Sequence, residues 1–177
     1  MNLRDWLSCR KCKLGAWAKF HVLGRGSLPC DVLLIGEAPG RSEDVLGEAF
    51  IGRAGKLLDA ALPKGPKFYF ANILACRPSD KEGGPNRTPE PEEIEACWPR
   101  LEETIRQAKT KVVVLLGRTA DEVVRQKSPS IWANAIKIPH PAYILRLGGV
   151  KSEQFKSYRR RLQTEIEETQ QWARLST

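Results

Sequence analysis

Four segments of this chain carry side chains of the kinds that do chemistry. Cys9-x-x-Cys12 comes first, with Cys76 and Cys97 far downstream. Four thiolates can close a metal site. The wide separation of the second pair does not distinguish zinc from a cluster, and burial as a small apolar side chain is the other common fate of such a cysteine. Cys30, just before an apolar run, reads as a spare. The second segment is Gly36-Glu37-Ala38-Pro39-Gly40-Arg41-Ser42-Glu43-Asp44. Carboxylates held in a Pro/Gly turn are placed to act on a ligand, or are simply solvated. In the third segment Asn72 stands near the end of an apolar strand. Its amide must satisfy two donors and an acceptor, through neighbouring backbone or through the edge of a base. The fourth is His140, one of two histidines in the chain, set between Pro139 and Pro141 and followed by Ala142-Tyr143-Ile144-Leu145-Arg146.

The elements that must position these groups follow from hydrophobic patterning. Residues 31–36 form a continuous aliphatic run ending at glycine, which predicts a buried strand. The aromatic and β-branched stretch 67–74 predicts a second, 112–116 a third and 135–139 a short fourth. Helices are expected over 56–62, stopped by Pro63, and over 92–108, where Ile94, Cys97, Leu101 and Ile105 recur at helical spacing. Two more are expected over 118–126 and 151–175, the last long and highly charged, with Arg159-Arg160-Arg161 on its solvated face. The proline-rich stretch 77–91 between strand and helix predicts a long surface loop. Strand and helix in alternation are the grammar of an α/β fold, a parallel sheet covered by helices on both faces. In such sheets the working site lies beyond the carboxyl ends of the strands, where the second, third and fourth segments all fall.

Composition narrows the partners. The 177 residues suit a single domain spanning 1–177, and no apolar run is long enough to cross a bilayer. Residues 1–6 show no apolar stretch of signal-peptide length, from which a cytoplasmic location is expected. An odd cysteine count then argues against a disulfide framework. Twenty-nine Lys and Arg against 21 Asp and Glu give a net charge of +8, which suits a polyanion such as nucleic acid or serves only solubility.

Taken together, the motifs resemble the family 4 uracil-DNA glycosylases, the iron–sulfur, thermostable type. The resemblance runs from about Cys9 to Arg146. It includes Cys9-x-x-Cys12, Gly-Glu-Ala-Pro-Gly-x-x-Glu-Asp at 36–44, Ala49-Phe50-Ile51-Gly52, Ala54-Gly55 and Asn72 to Pro78. Asn86-Arg87-Thr88-Pro89, the residues around Cys97 and His-Pro-Ala-Tyr at 140–143 complete it. It implies a three-layer α/β/α sandwich with a four-stranded parallel sheet. It also implies a [4Fe–4S] cluster on Cys9, Cys12, Cys76 and Cys97, and a monomer acting on uracil-containing DNA. Phe50 would stack on a flipped uracil and Asn72 read its Watson–Crick edge, with Gly36 and Ala38 completing the base pocket. His140 would donate toward uracil O2. Glu37 and Glu43 are both candidates to stabilise the sugar cation and position the water, with Glu37 expected to help place the water and Glu43 to exclude thymine's methyl group in place of the aromatic that Gly40 replaces. Arg77, Arg87, Tyr143, Leu145 and Arg146 would face DNA, with Leu145 or Arg146 filling the gap left by the flipped base. The chain departs from the family between Leu116 and His140, where relatives carry an additional Arg-Gly turn and hairpin. That departure keeps a second reading open, a catalytically weak DNA-binding relative that recognises a damaged or modified base. Preference for another deaminated base, such as hypoxanthine or xanthine, is a third.

Overall fold

Every residue of β2 (Val32–Gly36) is buried, and its side chains divide between two layers. Val32 and Leu34 pack into one apolar cluster and Leu33 and Ile35 into another. A strand covered on both faces needs no polar alternation, which is why it reads as a solid aliphatic run. The same division holds in β4 (Val113–Leu116), with Val114 and Leu116 on the first side and Val113 and Leu115 on the second. The computed structural model describes residues 2–175.

The sheet has the order β1-β3-β2-β4-β5, with β3 at Phe68–Asn72 and β5 at Ile136–Ile138. The pairs β3–β2, β2–β4 and β4–β5 are all parallel, the four strands expected from sequence. A fifth, β1 (Arg25–Gly26), is added antiparallel on the β3 edge. Two residues carry no periodicity, so sequence patterning passes it by. Gly26 sits there with φ +106, and a Cβ would meet the Phe68 carbonyl at 2.3 Å.

Helices cover both faces. On one side lie α3 (Arg53–Ala61), α7 (Pro141–Arg146) and α8 (Glu153–Leu175). The other side carries α1 (Leu14–Trp17), α4 (Pro91–Ala108) and α5 (Arg118–Lys127). This is the expected α/β/α sandwich. Phe155, Tyr158, Leu162 and Ile166 give α8 a buried stripe at helical spacing, while Arg159, Arg160 and Arg161 are exposed. At the start of α4, Pro91 occupies the first turn and Glu90 and Glu93 close a reciprocal capping box. The stretch from 117 to 139 holds no hairpin; α5 runs through Ser128 into the short α6 (Pro129–Asn134). Among the described residues no helix is long and apolar enough to cross a membrane.

Candidate functional site

A cleft of about 370 Å³ opens beyond the carboxyl ends of β2, β3, β4 and β5. Glu37, Ala38, Phe50, Asn72 and His140 all line it, together with Glu43 from α2 (Arg41–Leu46). Segments that are distant in sequence therefore converge where the sheet topology requires.

Phe50 is the side chain that shapes the cleft. Its backbone is left-handed, with φ 55, an uncommon conformation for a bulky residue. Two glycines make room for it. A Cβ at Gly36 would lie 2.5 Å from the Phe50 ring, and one at Gly55 would lie 1.6 Å from its carbonyl oxygen. The ring packs 5.9 Å from Phe70 and 6.3 Å from the His140 ring. A helical glycine ordinarily gains stability when replaced by alanine. Here the sign reverses, because backbone on the opposite side must move. Gly55→Ala is expected to lower stability by about 3 kcal/mol, read from a urea transition; an unchanged or raised midpoint would disprove the close approach.

Asn72 is 2% exposed, and its Oδ1 is buried with no hydrogen-bond partner among the described residues. Its own carbonyl is held by the Arg100 guanidinium at 2.5 Å. An unsatisfied buried acceptor is costly and common where a ligand completes the bonding. A Cβ at Gly36 would fall 2.6 Å from Oδ1, so glycine keeps that approach open.

His140 caps α7, and its Nδ1 accepts the Ala142 N–H at 3.2 Å. That bond leaves Nε2 as the protonated nitrogen of a neutral ring. Burial holds the imidazole below its ordinary pKa; the charge of Glu37 opposes this and that of Arg146 assists it.

The two carboxylates are fixed differently. Glu37 accepts from the Thr119 hydroxyl at 2.5 Å, and Glu43 accepts the Gly52 N–H at 2.8 Å. The Glu43 carboxylate lies against Gly40, where a Cβ would come within 2.8 Å of its Oε2. Glycine at 40 thus admits the Glu43 side chain to the cleft wall.

Two basic residues differ from their sequence expectation. Arg77 does not face outward: it is 7% exposed, donates to Asn86 Oδ1 at 2.5 Å and binds the Gly84 carbonyl. Arg87 is held by Glu93 at 2.6 Å and Asp80 at 2.7 Å. Both brace the 77–91 loop, because side-chain and carbonyl oxygens of that loop, and for Arg87 the Glu93 carboxylate at the start of α4, reach them first. Tyr143 and Arg146 are exposed on α7, with the Arg146 guanidinium over the Tyr143 ring at 5.8 Å. Leu145 packs partly into the core. Asn86, Arg118 and Thr119 also line the cleft and were not singled out from sequence. For Arg118 and Thr119 the available signal was their position directly after the β4 glycine.

A second, small cavity lies among Cys9, Cys12, Cys76 and Cys97, walled by apolar groups including Trp6 and Leu14. Burial chiefly, and then the proximity of Cys97, Cys12 and Cys9, push the Cys76 thiol up. The Cys97 sulfur accepts the Ala75 N–H at 3.3 Å. Among the described residues no three His, Cys, Asp or Glu side chains are gathered as a site for one metal ion. Cys30 lies apart from this set, buried in the core, its thiol pushed up to about 11 mainly by burial.

The model of the uracil DNA glycosylase superfamily matches residues 23–163. The chain is 39% identical over 126 residues to the type-4 uracil-DNA glycosylase of Archaeoglobus fulgidus, covering 69% of this chain and 61% of that protein. It is 33% identical to the type-4 enzyme of Sulfurisphaera tokodaii, over 78% of this chain and 63% of the relative. With that of Thermotoga maritima it shares 37% identity, over 78% of each. The match thus spans under two thirds of the length of the first two relatives.

Proposed function

Since the chain belongs to the uracil DNA glycosylase superfamily, in its type-4 branch, we propose that it flips uracil out of DNA and hydrolyses its N-glycosidic bond. One observation carries this reading: the buried Asn72 amide, its Oδ1 unpartnered, shares a cleft with Phe50 and the neutral His140. Uracil presents a donor at N3 and an acceptor at O4, and an amide fixed in one orientation complements both. Cytosine presents the reverse and is refused. Phe50 offers a face for stacking the extruded base.

Cleavage leaves negative charge on the departing uracil and positive charge on the sugar. The Nε2–H of His140 is a donor for the first, aimed where charge develops. Glu37, oriented by Thr119, serves the second and positions water. Glu43 fills the space beside Gly40 and blocks thymine's methyl group. Glu43→Ala is therefore expected to confer measurable release of thymine from a G·T oligonucleotide; a variant that still ignores thymine would count against that role.

Tyr143, Arg146 and the exposed Arg118 are the groups offered to the DNA backbone. Of the two side chains considered for the gap left by the base, Arg146 stands free of the core and Leu145 does not, which favours Arg146.

The four cysteines suit the [4Fe–4S] cluster of the type-4 resemblance. They line one apolar cavity instead of converging on an ion-sized point. The nearby guanidinium of Arg100 has buried N–H groups without acceptors, as expected beside an anionic thiolate set. Cys9, Cys12, Cys76 and Cys97 would hold the cluster, which supplies cross-links between the chain's first turns, β3 and α4; glycosidic hydrolysis needs no redox step. A cytoplasmic monomer acting on uracil-containing DNA completes the proposal.

The test is strand scission at the abasic site after incubation with a uracil-containing oligonucleotide. Scission dependent on uracil supports the reading. A correctly folded, metal-replete protein that binds the oligonucleotide and leaves uracil in place would overturn it.

A further inference from the structure

Arg100 is a charged side chain in the buried stripe of α4, and it is 0% exposed. Its Nη2 donates to the carbonyls of Asn72 at 2.5 Å and Ile73 at 2.8 Å, and to Cys97 Sγ at 3.8 Å. Nε and Nη1 have no partner among the described residues, and no carboxylate there pairs with the guanidinium. A buried cation without an anion is strongly unfavourable. The Cys97 thiol is the acidic group in contact with it. On its other side, the peptide it grips continues into Ile73 and Leu74, whose N–H groups bond the Gly36 and Glu37 carbonyls. One guanidinium therefore joins the cysteine site to the backbone of the residue that reads the base.

We propose that Arg100 is a positioning residue that balances the charge of the cysteine-held cluster and, through the Asn72 and Ile73 carbonyls, sets the Asn72 amide for uracil. The inference rests on the iron–sulfur glycosylase reading above. It gives the cluster a consequence inside the base pocket. A cation donating to a ligand sulfur stabilises the more negative, reduced cluster, so its removal lowers the reduction potential. Both carbonyl contacts are charge-assisted and come from Nη2 alone, one bond beyond the point that a lysine ammonium reaches.

The experiment compares purified parent, Arg100→Met and Arg100→Lys. Midpoint potentials are followed by electron paramagnetic resonance, and free uracil binding by NMR titration, which requires no turnover. Arg100→Met is expected to shift the potential to more negative values and weaken uracil binding about tenfold. Arg100→Lys is expected to recover the potential but not the uracil affinity, because charge is restored one bond short of the two carbonyls. Parent values for both quantities in both variants would overturn the proposal. Should Arg100→Met fail to fold, Arg100→Lys decides alone: parent uracil affinity there refutes the positioning role. A parent lacking the cluster's visible absorption would refute the cluster reading and the charge-balancing half of this proposal. A parent that does not bind uracil would refute the glycosylase reading instead.

Discussion

His140→Ala lowers the single-turnover rate of uracil release by about 10²–10³-fold, the range expected when one donor to a developing anion is removed. Binding of a uracil-containing oligonucleotide changes much less, since the contact strengthens only as charge appears on the base. The pH profile adds a second signature. Burial above all holds the ring below its ordinary value, so it is neutral at pH 7. Protonation in acid would remove the acceptor that binds the Ala142 N–H and turn the ring from its set orientation. Parent activity is therefore flat from neutral pH upward and falls on the acid side. Stability follows the same sign. The unfolded chain takes up this proton at about pH 6.5 and the native chain only lower, so the contribution is complete above the unfolded value. It is lost as pH falls through the window between the two. His140→Ala should flatten both acid limbs. A variant with parent rates would remove His140 from the reaction, and a parent rate that rises steadily into acid would overturn the neutral-donor role.

The elements that deliver His140 and Asn72 were legible because burial on both faces writes a strong signal. The runs in β2, β3 and β4 needed no tertiary information, and their carboxyl ends indicated where to look. Short pieces were not legible. The strand β1 and the helices α2 and α7 are too brief for a period, and α7 exists because His140 caps it and Pro141 starts it. Charged residues were the hardest to interpret from type alone. Arg77 and Arg87 looked like DNA contacts in an exposed loop, yet partners six to nine residues away draw them inward. Arg100 drew no notice, although it lies three residues from Cys97 and next to Leu101, inside the apolar stripe of its own helix. A charge in that register is a signal that pattern counting discards as noise. Pocket neighbours such as Thr119 and Asn86 depend on which loops meet, and only the sheet order decides that.

Loss of a single cysteine ligand is expected to have the largest effect on stability. In Cys97→Ser the α4 corner of the site loses its sulfur, and the Ala75 N–H and Arg100 are left with a hydroxyl on a shorter bond. Three thiols then remain, and the buried guanidinium keeps its charge with less to offset it. Structural metal sites contribute on the order of 10 kcal/mol of apparent binding free energy. Even ~3 kcal/mol lost would lower the melting temperature by about 6–12 °C in a domain of this size. The damage should be local before it is global. The turn Leu3–Ser8 and α1 pack around the cysteine cavity through Trp6 and Leu14, so they are released first. Limited proteolysis of Cys97→Ser should cut within the first 20 or so residues at temperatures where the parent resists, while β2, β4 and α8 survive. Uracil binding should weaken in the same variant, because Arg100 links this corner to Asn72. A Cys30→Ser control touches none of these contacts and should retain the iron content of the parent. Loss of iron in Cys30→Ser, or full iron and parent resistance to protease in Cys97→Ser, would show that the four cysteines are not the ligand set.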